Sequence, residues 1–301
     1  MTSSRFYSYA LPLRYGAIRQ GVLVKRDSCW GDAAPLEGWS RETIEDVLDW
    51  VRRGGDVVPA SMQCALETTD WPLQHPEVLV NALLSGSAEE MLAEAQRTIL
   101  DGCRCLKIKT GGLEFSEIPP LLDRILEAGN CSFRLDPNRA WSFADSMKMA
   151  ETLCNYPIEY FEEPISEISE MPRLIRDSPV PMALDETLRE IQPEDLSNYS
   201  GAVAVVLKPT LMGGFSICRK FAEAAARLGM SAVVSASYES GVGIHALGRF
   251  AASLPKIAAA GLDTYSKLEC DVLVRRLDFS GFVFRADQLL PDIDEARIHL
   301  L

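Results

Sequence analysis

The chain has 301 residues, 47% of them hydrophobic and 24% charged, and carries a net charge of −13. That is ordinary soluble composition, long enough for one large barrel with a smaller companion unit. The acidic balance argues against nucleic acid as a partner, yet leaves room for a small anionic substrate held by local cations. The eight cysteines are scattered, with Cys103 and Cys105 the only tight pair, so reduced thiols are expected rather than a disulfide framework or a paired-cysteine zinc site.

In chain order, "RFYSYALPLRYG", "GVLVKRD" and "CWGDAAPLEGWS" read as strands of a meander, and "RETIEDVLDWVRRG" as the helix that follows. This α+β pattern predicts a separate domain over residues 1–76. The opening "MTSSRFYSYALPLRYG" lacks a long apolar h-region and no run is long enough to span a bilayer, so no membrane partner and a cytoplasmic location are expected.

From residue 77 the chain alternates short apolar runs with amphipathic stretches. The runs are "EVLVNALL", "CRCLKIKT", "CSFRLDP", "IEYFEEP", "VPMALDE", "AVAVVLKP", "SAVVSAS" and "AAAGLDT"; helices are expected at "SAEEMLAEAQRTIL", "EIPPLLDRILEAG", "FADSMKMAETLC" and "GFSICRKFAEAAARLG". Strands alternating with helices predict a closed parallel barrel over residues 77–268. An open doubly wound sheet is the alternative, but no GxGxxG follows the first strand. The tail, residues 269–301, contains "DVLVRRLDFSGFVFRAD", which reads as strand material returning to the first domain.

The stretch "LKIKTGG" puts Lys107 and Lys109 on the same face of a strand. Burying unpaired ammonium groups is costly, so a site is the better explanation than a core. Charged residues recur at the end of each following run: Asp136, then Glu162 and Glu163, then Asp185 and Glu186, then Lys208. The spacing is about one βα unit, which places every group at the C-terminal edge of successive strands, where barrel enzymes keep their catalytic groups. Taken singly, each has a plainer reading: a carboxylate after a strand is often a helix cap, "EEP" is a turn signal and a lone lysine snorkels. Taken together, three converging carboxylates would repel one another without a cation among them, and oxygen-only ligands suit a hard ion such as Mg²⁺. Lysines would then face each other across that metal, and a lysine crowded by another cation can act as a base.

The motifs "KIK", "LDPN", "FEEP", "LDET" and "LKP", in this order, resemble the enolase superfamily, in the branch with lysines on both sides of the metal; the likeness covers nearly the whole chain. It implies a (β/α)7β TIM-like barrel with an α+β capping domain formed by the N-terminal segment and the C-terminal tail. It implies Asp136, Glu162 and Asp185 as ligands of Mg²⁺, with Mn²⁺ as a substitute, and Lys109 and Lys208 as the flanking lysines, supported electrostatically by Lys107. Further stretches, "WGDAAPLEGWSRET", "SASYESGVGIHALGRFAA" and "AGLDT", are similar to o-succinylbenzoate synthases of menaquinone biosynthesis. What that similarity implies is a dehydration: syn loss of water from 2-succinyl-6-hydroxy-2,4-cyclohexadiene-1-carboxylate to give o-succinylbenzoate. Lys109 would remove the α-proton and return it to the departing hydroxyl, while Lys208 stabilises the enediolate as a fixed charge.

Ser235, Asn138, Arg134 and Gly261 match family positions that line the substrate pocket or orient the ligands. Each also has an ordinary reading, as a small strand-end residue, a turn former, a barrel-interior ion-pair partner and a backbone hinge respectively. The sequence departs from the family pattern at Asp32, Glu37 and Gly241, which the reading assigns to the cap loop and pocket rim.

The nearest rivals, N-succinylamino acid racemases and dipeptide epimerases, use the same two lysines. The second lacks support, since no Asp-x-Asp follows the eighth run, and muconate cycloisomerases fit the cap stretch less well. A mandelate racemase-type His–Asp dyad has no candidate, because His245 falls inside the helix after the seventh run. A Schiff-base aldolase would not need three aligned carboxylates, and a non-catalytic scaffold would not need any of the five charged strand ends. Oligomeric state is left open.

Overall fold

The structure, a computed structural model, describes residues 4–27 and 29–301. The strands β1 (Arg5–Pro12), β2 (Ile18–Arg26) and β3 (Cys29–Ala33) form an antiparallel meander. The turn between the first two is closed by Leu13 N–H on Ala17 O at 2.8 Å, with Gly16 at φ +87°, a conformation that suits glycine. One face of this sheet, Val22, Val24 and Ala33, packs on α1 (Ile44–Arg53) and α2 (Ala60–Glu67). Thr43 and Asp46 open α1 with a reciprocal capping box. The sequence reading passed over α2, which follows Pro59 with no side-chain cap and so leaves little signal.

The expected alternation of strand and helix then follows. After β4 (Glu77–Leu79) come β5 (Ala82–Leu84), α3 (Ala88–Leu100), β6 (Cys105–Lys109), α4 (Ile118–Ala128) and β7 (Ser132–Asp136). Next are α5 (Phe143–Leu153), β8 (Ile158–Glu162), α6 (Met171–Asp177), β9 (Met182–Leu184) and β10 (Ala204–Leu207). The series ends with α7 (Pro209–Met212), α8 (Phe215–Arg227), β11 (Ser231–Val234) and α9 (Gly241–Ala252). Strands β5 to β11 pair in parallel and in sequence order.

Residues 257–261 close the ring as an eighth strand. Ala260 bridges Val80 on one side, and Gly261 bridges Ser235 on the other. Ala260 N–H reaches Leu79 O at 2.7 Å, and Gly261 N–H reaches Val234 O at 2.9 Å. The fold is therefore a barrel and not an open sheet. Outward-facing Leu106, Ile108, Phe133, Leu135 and Phe161 join the apolar shell shared with the helices, while Tyr160, Ala183, Ala204, Val206 and Val233 form a small separate cluster in the strands. The alternate, inward positions near the strand ends are free to carry charge.

The tail departs from the expectation of continuous strand. Within "DVLVRRLDFSGFVFRAD" only Val283–Arg285 is extended, as β12, and it pairs antiparallel with β4, not with the meander. Before it, Val272, Leu273 and Leu277 anchor irregular chain to the core without the alternation a ladder requires. The chain then returns to the meander, where β13 (His299–Leu300) pairs with β1. Among the described residues, no helix is long and apolar enough to cross a membrane.

Candidate active site

Strand alternation turns Lys107 and Lys109 inward together, and the β6–β7 register sets Lys109 directly beside Asp136. Glu162 ends β8, Asp185 follows β9 and Lys208 follows β10, so all six groups meet at one mouth of the barrel. The Lys107 ammonium lies 2.7 Å from Asp136 Oδ2 and 2.6 Å from Glu162 Oε1. Lys109 Nζ donates to Asp136 Oδ2 at 2.6 Å and to Asn138 Oδ1 at 2.9 Å. Lys208 Nζ donates to Asp185 Oδ2.

The electrostatics separate the three lysines. Burial pulls all three down, but around Lys107 the carboxylates of Asp136, Glu162 and Asp185 overcome it and hold the ammonium well above its ordinary value. Asp185 likewise keeps Lys208 above its ordinary value. Lys109 ends below its ordinary value, because burial and the neighbouring Lys107 charge outweigh Asp136. Burial pushes Glu162 up to about 8 against the pull of Lys107. Asp136 and Asp185 are buried too, yet the lysines around them hold both below the usual carboxylate range.

The residues fit a hard divalent cation. The donor set is oxygen only, on three adjacent strand ends, and Glu162 Oε2 is buried with no hydrogen-bond partner. Among the described residues no three carboxylate, imidazole or thiol groups close on a common point. Lysine ammonium groups stand between the carboxylates instead and supply the positive charge they require.

The paired acids divide by backbone geometry. Glu163, at φ +36°, turns away from the lysines and accepts from Asp185 N–H at 3.0 Å, Thr187 N–H at 3.2 Å, Arg139 Nη2 at 2.7 Å and the Thr187 hydroxyl. It holds the turn that carries Asp185. Glu186 is pushed up to about 7 by burial and by the adjacent Asp185 charge.

Above these groups lies a cavity of about 520 Å³, with Lys107, Lys109, Lys208, Asn138, Ser235 and Gly261 in its lining. Asn138 sits at φ +51°, its N–H donating to Asp136 Oδ1 at 2.9 Å, and its Nδ2 is buried without a partner. Gly261 is required by close approach, since a Cβ there would lie 2.8 Å from Ser235 Oγ. Arg134 is not in the lining. It is 1% exposed in the barrel interior, donating to Glu159 Oε2 at 2.7 Å, Asn81 Oδ1 at 3.1 Å and Ala259 O at 2.7 Å.

Among the lining residues that had not been singled out are Leu36 and Trp39 from the first domain, Tyr238 after β11, and Asp263 after the eighth strand. All four lie in quoted motif stretches, but nothing in their spacing marks them as wall. Of the three departures, only Glu37 is an exposed loop residue. Asp32 is buried and caps α9, accepting from Ser240 N–H at 2.8 Å, Ser240 Oγ at 2.7 Å and Tyr9 Oη at 2.8 Å. Gly241 has no room for a side chain, because a Cβ would meet Asp271 Oδ2 at 2.1 Å. His245 lies within α9, its Nε2 3.0 Å from Gln288 O, away from the lysines.

Residues 90–289 match the family described as Enolase C-terminal domain-like. The chain belongs to that family and is an enzyme of the enolase superfamily. It is 30% identical to the o-succinylbenzoate synthase of Yersinia pseudotuberculosis serotype O:1b, over 91% of this chain and 93% of that protein. It is also 30% identical to the o-succinylbenzoate synthase of Yersinia enterocolitica serotype O:8, over 96% and 98% of the two chains. Among solved structures it superposes on the L-Ala-D/L-Glu epimerase of Bacillus subtilis, with a TM-score of 0.84, 19% identity and coverage of 100% and 99%. It also superposes on the N-succinyl Arg/Lys racemase of Bacillus cereus, with a TM-score of 0.85, 20% identity and coverage of 98% and 96%. These structures share its fold.

Proposed function

We propose that the protein is a Mg²⁺-dependent dehydratase that converts 2-succinyl-6-hydroxy-2,4-cyclohexadiene-1-carboxylate to o-succinylbenzoate, with Mn²⁺ as a substitute metal. The observation that carries the reading is the placement of Lys109 and Lys208 in the cavity lining, on the strand ends that flank Asp136, Glu162 and Asp185, with burial and the Lys107 charge lowering the proton affinity of Lys109. The kinship with proteins named o-succinylbenzoate synthase supports the choice of substrate.

Asp136, Glu162 and Asp185 would hold the metal. When bound, Mg²⁺ supplies positive charge to the substrate carboxylate and so acidifies the adjacent carbon. Lys109 Nζ, in its neutral form, takes the α-proton. Lys208 stays charged and offsets the negative charge that develops on the carboxylate. Lys109 then returns the proton to the departing hydroxyl on the same face, so water leaves, the ring gains its third double bond and Lys109 is neutral again. Asn138 Oδ1, a partner of Lys109 Nζ, keeps the amine aimed. The partly apolar cavity, walled by Leu36 and Trp39, limits water at the reacting carbon.

A second reading, racemisation of N-succinylamino acids, draws on the same opposition of lysines, since one on each face can remove or return an α-proton. Dipeptide epimerisation has less support, because Asp263 stands alone at the cavity wall. A substrate panel separates these readings: loss of diene absorbance for the cyclohexadiene substrate, and α-proton exchange in D₂O for N-succinylamino acids and dipeptides. Rapid dehydration with exchange at most a side activity is expected. Exchange of amino acid substrates without dehydration would replace the first reading by the second.

A further inference from the structure

The guanidinium of Arg19 lies where the meander meets the barrel and is 5% exposed. Its Nε donates to Tyr238 O at 3.0 Å and its Nη2 to Ser237 O at 3.3 Å, both in the loop after β11. On its other side, Nη1 and Nη2 donate to the carbonyls of Pro35 and Ala34, in the loop after β3. One planar fork thus satisfies carbonyls from two segments that are remote in sequence, a geometry that a lysine ammonium cannot reproduce.

Both segments build the cavity. Pro35 leads into Leu36 and Trp39, and Ser237 and Tyr238 are themselves in the lining. Tyr238 sits at φ +62°, which a bulky residue keeps only where its surroundings enforce it, and Arg19 holds its carbonyl. A buried cation seldom persists without full hydrogen bonding, so the two loops and the guanidinium each require the other.

We propose that Arg19 is a positioning residue for the substrate cavity. Its guanidinium ties the loop carrying Leu36 and Trp39 to the loop carrying Ser237 and Tyr238, and so sets the spacing between the cavity's roof and its lysine floor. It touches no reacting group; it acts through the two loops, on substrate fit before proton transfer. The kinetic part of the test rests on the dehydration reading, whereas the structural part does not.

Arg19→Ala and Arg19→Lys in the full chain are compared by amide hydrogen exchange and by steady-state kinetics. Losing charge-assisted bonds of this kind corresponds to about tenfold or more in local opening. Exchange should rise by about that factor in residues 34–40 and 236–240 together, with α3 and α4 unchanged. Ethylguanidinium should restore protection to the alanine variant, and ethylammonium should not. KM should rise about tenfold while kcat changes less than about threefold, the pattern of lost ground-state fit. Exchange that rises in one loop alone or evenly over the chain, or a KM equal to that of the wild type, would overturn the proposal. Should Arg19→Ala fail to fold, Arg19→Lys carries the same comparison, because it keeps the charge and removes the fork. A wild type inactive on the diene would sink the dehydration reading, and the exchange pattern would still decide on Arg19.

Discussion

At the scale of single residues, neighbours separate the three lysines of the barrel mouth by charge state. Lys107 is held charged between Asp136 and Glu162, Lys208 is held charged by Asp185, and Lys109 alone has its proton loosened. Replacing Lys107 by methionine removes the ammonium and leaves two buried carboxylates facing each other, which costs about 3–5 kcal/mol by the usual measure for a broken buried pair. Mg²⁺ should therefore raise the unfolding midpoint of Lys107→Met more than that of the wild type, as read by calorimetry with and without EDTA. An equal metal response in both would argue that the carboxylates do not share the cation. The pH profile follows from the sign of the Lys109 shift. A base must be neutral, so log kcat/KM should climb with pH through an ionisation lying below the ordinary lysine value of about 10.4, and level off above it. A limb at or above that value would contradict the assignment.

At the scale of elements, the strand-end pattern was legible because barrel geometry converts an interval of one βα unit into proximity. Lys109 and Asp136 lie far apart in sequence but are register partners. The "FEEP" and "LDET" pairs were less legible. In "FEEP" the member that faces the lysines is set by one backbone twist, the positive φ of Glu163, and no residue pattern announces it. Arg134 illustrates the same limit: its register partner Lys107 reaches the cavity, whereas the Arg134 guanidinium is taken up by Glu159, Asn81 and Ala259 in the barrel interior. In the tail, the strand reading of "DVLVRRLDFSGFVFRAD" holds only at Val283–Arg285, because apolar residues that plug a core in irregular chain carry the composition of a strand without its ladder; the chain does return to the meander, through β13. Gly241 looked like a rim variation, yet the structure makes it a packing requirement at the start of α9. Gly241→Ser should lower stability by about 1–3 kcal/mol through overpacking against Asp271, measured from urea midpoints. No loss would mean that Asp271 can swing aside.

At the scale of the whole molecule, the meander is bound to the barrel by buried polar groups as well as apolar contact. Asp32, on the meander, caps a barrel helix, and burial raises its carboxyl to about 6. A folded-state value above the unfolded one means that the folded protein holds this proton more tightly. The contribution from Asp32 is thus fully present below about pH 4 and is lost as pH rises through about 6, a difference of about 3 kcal/mol. The stability of Asp32→Asn relative to the wild type should improve from pH 4 to pH 8 in denaturant titrations; a constant difference would show that the carboxyl is ionised throughout. The barrel and cap pattern was readable from alternation of strand and helix, whereas the residues that join them, Arg19 among them, carry no periodic signature.

On the proposed reading, Lys109, with a divalent cation held by Asp136, Glu162 and Asp185, removes the proton that starts dehydration. The most direct test follows diene absorbance with purified protein, Mg²⁺ and the cyclohexadiene substrate, alongside EDTA-treated protein and Lys109→Ala. Turnover that disappears with EDTA, returns with Mg²⁺ and falls by about 10²–10⁴-fold or more in Lys109→Ala is the predicted result. Full activity in either control would contradict it.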